Sequence, residues 1–416
     1  DAAYAALAVG GGRVDISIMN VIGFDASALG NHEFDLGTGT IAGLLQPGFG
    51  AADGTADDSW VGAQFPYLSA NLDFSGDGSL SGLHTGEILN ADAFATGPDQ
   101  SAGSTTTPKI APATLIEVTD PETGLTETIG VVGATTPILA TISSPGGVEV
   151  LGSASNDMQA LAGVLQPVID EIIAGGVDKV VLVSHLQQIA LEQELVKLLH
   201  GVDVVIAGGS DTILANDGDV LNPGDTAVAG YPIVTTNADG DTAVIVSTDG
   251  EYSYLGRLVV EFDDQGRVIA DSIANPDNGP VATTTDNVAA AWDGDIDAAF
   301  AEGTKGDLVD DLVDAVQTVV VEKDGSIFGQ TTVYLDGDRA DVRTQETNLG
   351  NLSADANLAT AQSVDETVMV SIKNGGGIRA GIGEVVVDDA TGVVSALPPQ
   401  ANPVAGKDEG DVSQLD

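Results

Sequence analysis

The sequence predicts an α/β fold, because apolar strands and amphipathic helices alternate along much of the chain. The clearest unit is a strand–helix–strand crossover. Its first apolar run, 179–185, leads into a helical segment that is closed by Gly201, and a second apolar run follows at 202–209. A second observation is the strand-like run 129–134, which precedes a segment with helical spacing of apolar residues at 156–174.

The amino-terminal part of the sequence shows weaker periodicity. Two short apolar runs, at 14–21 and 25–29, predict a helix and then a strand. The loop 30–33 that follows carries polar side chains and is predicted to be functional. Residues 46–128 are rich in Gly, Ser, Thr, Asp and Pro, so we expect loops around one strand, at 65–72.

The remaining patterns divide the chain into two predicted domains. The segment 231–262 alternates in the manner of strands, and the Pro-, Thr- and Asp-rich stretch 270–290 has the composition of a linker. Beyond it the patterns predict a helix at 305–322, a strand at 331–335, a helix at 348–361, a strand at 366–372 and a loop at 374–377. We therefore predict a first domain at 1–300, a connecting helix at 301–324 and a smaller second domain at 325–416.

Charge and composition exclude several classes of function. There are 63 acidic residues against 13 basic ones, which gives a formal net charge of −50 and an isoelectric point near 4.1. A nucleic-acid polymer is therefore not an expected partner. The acidity fits a saline or calcium-rich exterior, and equally an acidic composition shared by a whole lineage. The lack of cysteine excludes disulfides and thiolate metal sites, and neither a membrane span nor an intact secretion signal is visible.

Polar residues at predicted strand ends mark a candidate site. His32 lies in a cluster of oxygen and nitrogen donors after a small-residue turn, which suits a divalent metal and an anionic substrate. His185 and Asp211 follow apolar runs at the carboxyl ends of their strands, where ligands bind in open α/β sheets. A hydrogen-bonded structural histidine is the alternative for His185. We interpret His84 and His200 as structural.

Three segments carry a resemblance to a known family. Residues 23–35, GFDASALGNHEFD, are similar to the asparagine–histidine–glutamate block of calcineurin-like metallophosphoesterases. Within that superfamily, the segment most resembles the block of bacterial 5′-nucleotidases of the bifunctional 5′-nucleotidase and UDP-sugar hydrolase type. Residues 345–352, QETNLGNL, and 373–379, KNGGGIR, resemble the two marker segments of that family's carboxy-terminal substrate domain. The three segments occur in family order and their span covers most of the chain.

The resemblance implies a four-layered α/β/β/α metallophosphoesterase domain, joined by a helix to a smaller α/β substrate domain. It also implies two divalent metal ions and hydrolysis of a small-molecule nucleotide or other phosphate ester. Carried over residue by residue, Asn31 is expected to be a metal ligand, His32 to stabilise the transferring phosphoryl group and His185 to bind the second metal. Two such cations would clamp the phosphoryl oxygens and lower the pKa of a bridging water.

The distribution of arginine supports an anion site. Three of the six arginines, Arg339, Arg343 and Arg379, lie in the short segments that flank the two later motifs. Concentrating planar bidentate donors there, in so acidic a chain, favours capture of a phosphate or carboxylate. Pairing of Arg339 and Arg343 with nearby aspartates is the alternative. A glycine-rich loop would let backbone N–H groups approach the ligand. The loop residues are Asn374, Gly375 and Gly376.

The sequence also departs from the family pattern. The upstream aspartate-x-histidine and glycine–aspartate motifs and the later aromatic base-binding segment are not found, so we expect the chain to be truncated at both ends. His185 is followed by Leu186 and Gln187 rather than by x-Gly, and the histidine-x-histidine block is replaced by Ser210-Asp211-Thr212. Asp211 is the candidate oxygen ligand there, with zinc, manganese, iron or calcium as the possible ions.

Two functions from different classes stay open on the sequence. The first is an exported metal-dependent phosphohydrolase acting on nucleotides or other phosphate esters, outside the cell, in the periplasm or on the cell surface. The second is a non-catalytic extracellular or surface binding protein that retains the fold and an arginine anion pocket. A third interpretation, an acidic surface-coat protein, rests on composition alone.

Overall fold

The computed structural model describes residues 12–48, 60–96, 107–121, 123–250, 252–338, 340–378, 380–387 and 394–416. The chain divides into two compact units, the first ending at Leu312 and the second beginning at Val313. The division falls within a helix that spans Lys305–Asp324. The sequence places the connecting helix in this region, and the exact domain bounds stay a prediction.

The first unit contains both helices and strands. Its helices are α1 (Arg13–Ile22), α2 (Thr38–Leu45), α3 (Leu139–Ile142), α4 (Met158–Ala174), α5 (Ile189–Leu195), α6 (Thr285–Ala291) and α7 (Ile296–Ala299). Its strands are β1 (Ser27–Ala28), β2 (Tyr67–Leu68), β3 (Leu72–Asp73), β4 (Leu89–Asn90), β5 (Ile110–Ala111), β6 (Ala113–Thr119), β7 (Thr126–Thr135), β8 (Glu149–Val150), β9 (Val180–His185), β10 (Val204–Gly208), β11 (Ile233–Thr236), β12 (Thr242–Val246), β13 (Tyr254–Arg257) and β14 (Gly279–Ala282). Short 3₁₀ turns lie at His32–Phe34, Ala91–Phe94, Val196–Leu198 and Ala270–Ala274.

Two sheets form layers of the first unit. The larger has seven strands in the order β11-β12-β10-β9-β7-β6-β4, and β12, β10, β9 and β7 run parallel to one another. The smaller is a parallel three-stranded sheet, β1-β2-β5, which packs against β7 and β9. Gly133 permits this close approach, because a Cβ there would lie 2.3 Å from the backbone carbonyl carbon of Leu68. The two sheets therefore bury one face each against the other.

The opposite face of the seven-stranded sheet is covered by α4 and α5. Helix α4 begins at the cap Asp157, whose carboxylate accepts a hydrogen bond of 3.0 Å from the backbone of Ala160, and it ends at Gly175. Its inward residues recur at helical spacing and join the strand side chains in the main core. Burying one such aliphatic side chain contributes about 2 kcal/mol. The inward residues are Met158, Leu161, Leu165, Ile169 and Ile172.

Helix α1 is attached on the side of the smaller sheet. The side-chain amide of Asn20 donates to the carbonyl of Gly62 at 2.9 Å and accepts from the backbone N–H of Gln64 at 2.9 Å. Both partners belong to the segment that leads into β2. Ile16 and Met19 of α1 are also buried. Helix α1 is thus held by the segment that leads into β2.

The second unit is smaller and has its own anchor. Its elements are the end of α8 (Lys305–Asp324), β15 (Ile327–Gln330), α9 (Asp341–Thr344), α10 (Asn348–Val364), a 3₁₀ turn at Gly375–Gly377, β16 (Glu384–Val387), β17 (Val394–Leu397) and β18 (Asp411–Ser413). Strands β15 and β18 pair antiparallel, as do β16 and β17. The buried Lys407 ammonium lies 2.9 Å from Asp324 and 2.7 Å from Asp416. Its hydrogen bond lowers the pKa of Asp324, so a charge-assisted network ties the chain end to the end of α8.

The predicted α/β class is confirmed. The crossover is present as β9, α5 and β10, and the three long predicted helices appear as α4, α8 and α10. Strand β7 contains the predicted run 129–134, and the order of helix, strand and loop near the amino terminus is as expected. No helix among the described residues is long and apolar enough to cross a membrane.

Several element predictions are wrong. Within 46–128 the structure has β4, β5 and β6 beside the expected strand. Strands β4 and β5 are two residues long and leave no periodic pattern, whereas β6 has seven residues and is missed because the composition around it indicates loops. The stretch 270–290 is not a linker, since β14 pairs with β13 and α6 follows. The predicted strand at 331–335 is replaced by β15 at 327–330, and the described residues 366–372 form turns and irregular backbone.

Candidate active site

The structure brings two of the predicted residues into direct contact. Asn31 lies after β1 and His185 is the last residue of β9. The buried Asn31 carboxamide oxygen accepts a hydrogen bond of 3.0 Å from His185 Nε2 and one of 2.5 Å from the side-chain amide of Gln187. The strand ends thus assemble a polar cluster from residues that are 154 positions apart.

Three glycines form a cradle around the His185 imidazole. A Cβ at Gly30 would lie 2.8 Å from two ring atoms of His185, and one at Gly209 would lie 2.6 Å from its Nε2. Gly209 also has φ +80°, a conformation that side chains disfavour. A Cβ at Gly208 would lie 3.5 Å from Nδ1 of the same ring. The imidazole therefore rests against the backbone of two loops, and larger residues at these positions would displace it.

His32 stands beside this pair and is exposed. Its Nδ1 lies 2.7 Å from the carboxylate of Asp35, and the other oxygen of that carboxylate accepts a hydrogen bond of 2.8 Å from the Ser143 hydroxyl. Neither Asp35 nor Ser143 is among the site residues predicted from the sequence. Asp35 could have been found from its place three residues after His32 within one turn, whereas Ser143 has no local signal, since it is 108 positions away.

A buried network of hydrogen bonds lies next to the Asn31–His185 cluster and connects the two sheets. The Thr135 hydroxyl donates to the carbonyl of Leu29 at 2.7 Å and lies 2.9 Å from the Ser69 hydroxyl, while Asn71 donates to the carbonyl of Thr135 at 2.8 Å. Thr135 pairs in register with His185 at the ends of β7 and β9. Because both sheets contribute to this network, it fixes the spacing between the loop of Asn31 and the end of β9.

The electrostatic environment differs among the site residues. Burial lowers the pKa of His185, as does the neighbouring His32, while Asp211 raises it. Asp211 itself is exposed on the loop after β10, with φ +48°. Although Glu33 as a residue is exposed, its carboxylate turns inward and accepts a hydrogen bond of 2.7 Å from Gly30, and the burial of that group raises the pKa of Glu33.

A cavity of about 440 Å³ adjoins the cluster at the carboxyl ends of β10 and β12. It includes Gly208, Gly209 and Asp211, which also surround or influence His185. In the described part of the chain its walls carry neither lysine nor arginine. The other lining residues are Val204, Ile206, Ala207, Tyr231, Val246, Ser247, Thr248, Asp249, Gly250, Gly256 and Leu258.

The second unit holds the other predicted cluster. Arg343, on α9, is exposed and forms no ion pair with the described residues, which argues against local pairing for this arginine. A Cβ at Gly376 would lie 3.7 Å from its guanidinium, and one at Gly375 would lie 2.1 Å from the carbonyl oxygen of Val342. Asn374 accepts a hydrogen bond of 3.1 Å from the backbone of Gly376. The glycine-rich loop and α9 are thus adjacent.

Two predicted arginines, Arg339 and Arg379, lie outside the described residues. The predicted site residues that are described fall into two groups, one in each unit. Asn31, His32, His185 and Asp211 belong to the first, and Arg343 and residues 374–376 to the second. Their roles stay predictions.

The donor set fits a two-metal centre only in part. Neighbouring ligands of one ion with bonds near 2.1 Å are about 3 Å apart, and Asn31 Oδ1 and His185 Nε2 have this separation. Among the described residues, however, no group of three or more His, Asp or Glu side chains is placed to hold an ion. The pair would fit two ligands of one metal only after His185 Nε2 gives up the proton that it donates to Asn31, and the described residues do not by themselves assemble a two-metal centre.

The chain is similar in sequence to known proteins. No protein-family model matches the chain. The trifunctional nucleotide phosphoesterase protein YfkN of Bacillus subtilis is 30% identical over 386 residues, which are 92% of this chain and 22% of that protein. The snake venom 5′-nucleotidase of Gloydius brevicauda is 30% identical over 380 residues, which are 90% of this chain and 52% of that protein.

A solved structure agrees with these relatives. The 5′-nucleotidase precursor from Thermus thermophilus superposes with a TM-score of 0.60 and 25% sequence identity, over 97% of this chain and 59% of that one. Over most of its length the chain is therefore similar to proteins named as nucleotide phosphoesterases and 5′-nucleotidases, while it spans about half or less of these curated relatives. The fold expected from the motifs is confirmed by this likeness.

Proposed function

We propose that this chain carries the phosphohydrolase site of a 5′-nucleotidase-type enzyme, which releases phosphate from nucleotides or other phosphate esters. One observation carries the proposal: Asn31 and His185 meet at the strand ends, and an oriented His32 stands beside them. The homology to 5′-nucleotidases and nucleotide phosphoesterases supports the same class of reaction. An extracellular, periplasmic or surface location is part of the proposal.

His32 is assigned the contact with the phosphoryl group. When its Nδ1–H donates to Asp35, the ring orientation is fixed and Nε2 is left for substrate. A protonated His32 then donates from Nε2 to a phosphoryl oxygen as negative charge grows in the transition state, and Asp35 stabilises the imidazolium. The exposed position of His32 leaves room for a phosphate ester to approach.

Asn31 and His185 are proposed as metal ligands, with Asp211 as a candidate oxygen donor. A bound divalent ion supplies Lewis-acid activation of phosphate and water. Since the described residues do not complete such a centre, we assign no step of the reaction to the ions. Arg339, Arg343, Arg379 and the loop 374–376 are proposed to bind the anionic substrate.

The test is phosphate release from 5′-AMP and from an aryl phosphate, after removal of metals and after addition of zinc, manganese, iron or calcium. We expect metal-dependent release, and a loss of about 100-fold or more in kcat for His32→Ala and His185→Ala. His200→Ala is the matched control, because His200 is also exposed and bound to a carboxylate, Asp239 at 2.7 Å. Absence of release under every condition, or equal losses in all three variants, would overturn the assignment.

A further inference from the structure

The turn after β9 has an unusual backbone. Gln187 has φ +75°, one of four non-glycine residues in the described part of the chain with positive φ. This left-handed conformation brings Cβ too close to the following carbonyl and is unfavourable for any residue except glycine, asparagine or aspartate. The turn follows His185 directly, so the unfavourable conformation lies at the candidate site.

The conformation delivers the Gln187 amide to Asn31. The carboxamide oxygen of Asn31 has two lone pairs. His185 Nε2 donates to this oxygen from one direction and Gln187 Nε2 from another. Asn31 is buried, so its orientation is set by these contacts. Without Gln187, one acceptor position on a buried oxygen would lose its partner.

Buried contacts on both sides of His185 hold the backbone of the turn in place. The buried Glu192 carboxylate, on α5, accepts a hydrogen bond of 3.1 Å from the Ser184 hydroxyl. The residue before His185 is therefore tied to α5. The residue after it, Leu186, is fully buried. The surrounding structure thus prevents the turn from relaxing and keeps Gln187 in its unfavourable conformation.

We propose that Gln187 is a positioning residue of the active site, whose side-chain amide fixes the Asn31 carboxamide against His185. A glycine at position 187 would adopt this backbone conformation without strain, but it has no side-chain amide that could donate to Asn31. The effect on catalysis rests on the proposed phosphohydrolase function. The contact with Asn31 does not, and it can be tested separately.

The catalytic test compares Gln187→Gly with Gln187→Ala. Both variants lose the amide, and we expect kcat to fall about tenfold in each, with KM nearly unchanged. Only the alanine variant keeps the unfavourable backbone. Gln187→Gly should therefore melt about 2–4 °C above Gln187→Ala. A residue that served stability alone would show activity that follows the melting temperature.

Asp293→Gly is the matched control. Asp293 also has positive φ, at +53°, but it is exposed in the turn between α6 and α7. We expect this variant to keep wild-type kcat. Wild-type kcat in both Gln187 variants, or losses that scale with their melting temperatures, would overturn the proposal.

A second measurement separates this proposal from the proposed function. The side-chain amide signals of Asn31 in a ¹H–¹⁵N NMR spectrum should shift in both Gln187 variants and stay in place in Asp293→Gly. If the wild-type protein releases no phosphate, the proposed function fails while a shifted Asn31 signal still supports the contact. Unshifted Asn31 signals in both variants would show that Gln187 does not position Asn31.

Discussion

In the proposed function, Asp35 decides which nitrogen of His32 is left for a substrate. Its carboxylate accepts a hydrogen bond of 2.7 Å from His32 Nδ1 and is itself fixed by a hydrogen bond from Ser143. We expect Asp35→Asn to lower kcat about tenfold or more, because the neutral amide no longer stabilises a charged imidazole and can favour the wrong tautomer. The measurement is kcat for phosphate release at one fixed pH.

The control for this prediction is Asp239→Asn. Asp239 contacts His200 at 2.7 Å, the same separation as in the site pair, but His200 is not a candidate site residue. We expect Asp239→Asn to leave kcat unchanged. An unchanged kcat in Asp35→Asn would show that Asp35 does not orient a reacting histidine.

At the level of residues, the sequence identifies the candidate site residues better than it identifies the residues that hydrogen-bond to them. Asn31, His32 and His185 are visible from motif and strand position, and the structure places them together. Ser143 meets Asp35 only through tertiary folding. Gln187 is visible as a departure from the x-Gly pattern, yet its contact with Asn31 depends on a backbone conformation that composition does not encode.

Among the elements, Asp203 joins three strands at the amino ends of β9 and β10. Its carboxylate accepts a hydrogen bond of 2.8 Å from the backbone of Val180, and its own backbone pairs with Val180 and Val244. Burial is the main reason why the pKa of Asp203 is raised to about 7. The strand junction therefore contains a carboxyl group that is costly to ionise.

This gives a prediction for the pH dependence of stability. In the unfolded chain Asp203 ionises near pH 4, whereas in the folded protein it keeps its proton to about pH 7. Its contribution to the free energy of unfolding therefore falls as pH rises from about 4 to about 7, by at most about 4 kcal/mol, and is constant above that. Asp203→Asn removes this titration while an amide oxygen can still accept from Val180.

The measurement is the urea midpoint between pH 5 and pH 8, followed by circular dichroism. We expect Asp203→Asn to gain stability relative to wild type as pH rises. Asp170→Asn, an exposed position on α4, is the control and should stay parallel to wild type. If the urea midpoints of Asp203→Asn and wild type changed with pH in parallel, burial would not raise the pKa of Asp203 in the folded protein.

The sequence predicts well those elements that have a clear apolar pattern along their own residues. Helix α4 and strands β7, β9 and β10 bury continuous or periodic apolar residues, so hydrophobic spacing identifies them. The strands of the smaller sheet are two residues long and are defined by their neighbours. The error at 270–290 has the same origin, because β14 exists through its pairing with β13.

Taken as a whole, the protein combines extreme acidity with few ion pairs to offset it. The 63 acidic residues exceed the 13 basic ones by 50, so most carboxylates have no basic partner available. Like charges distributed over a compact surface repel one another and favour expansion. The composition predicts this at once, and the point between residues 312 and 313 at which the structure divides into two units lies inside the predicted connecting helix at 301–324.

We therefore expect salt to stabilise the folded protein. Raising sodium chloride from about 0.05 M to about 1 M shortens the Debye length from roughly 14 Å to about 3 Å and screens most repulsion between exposed carboxylates. The melting temperature at pH 7 should rise by about 3–6 °C. Near the isoelectric point of 4.1 the net charge is small, so the same change in salt should have a much smaller effect there. Calorimetric scans at the two pH values measure the difference. An equal rise at both would show that the effect comes from ion binding or from salting-out of apolar surface, and not from relief of charge repulsion.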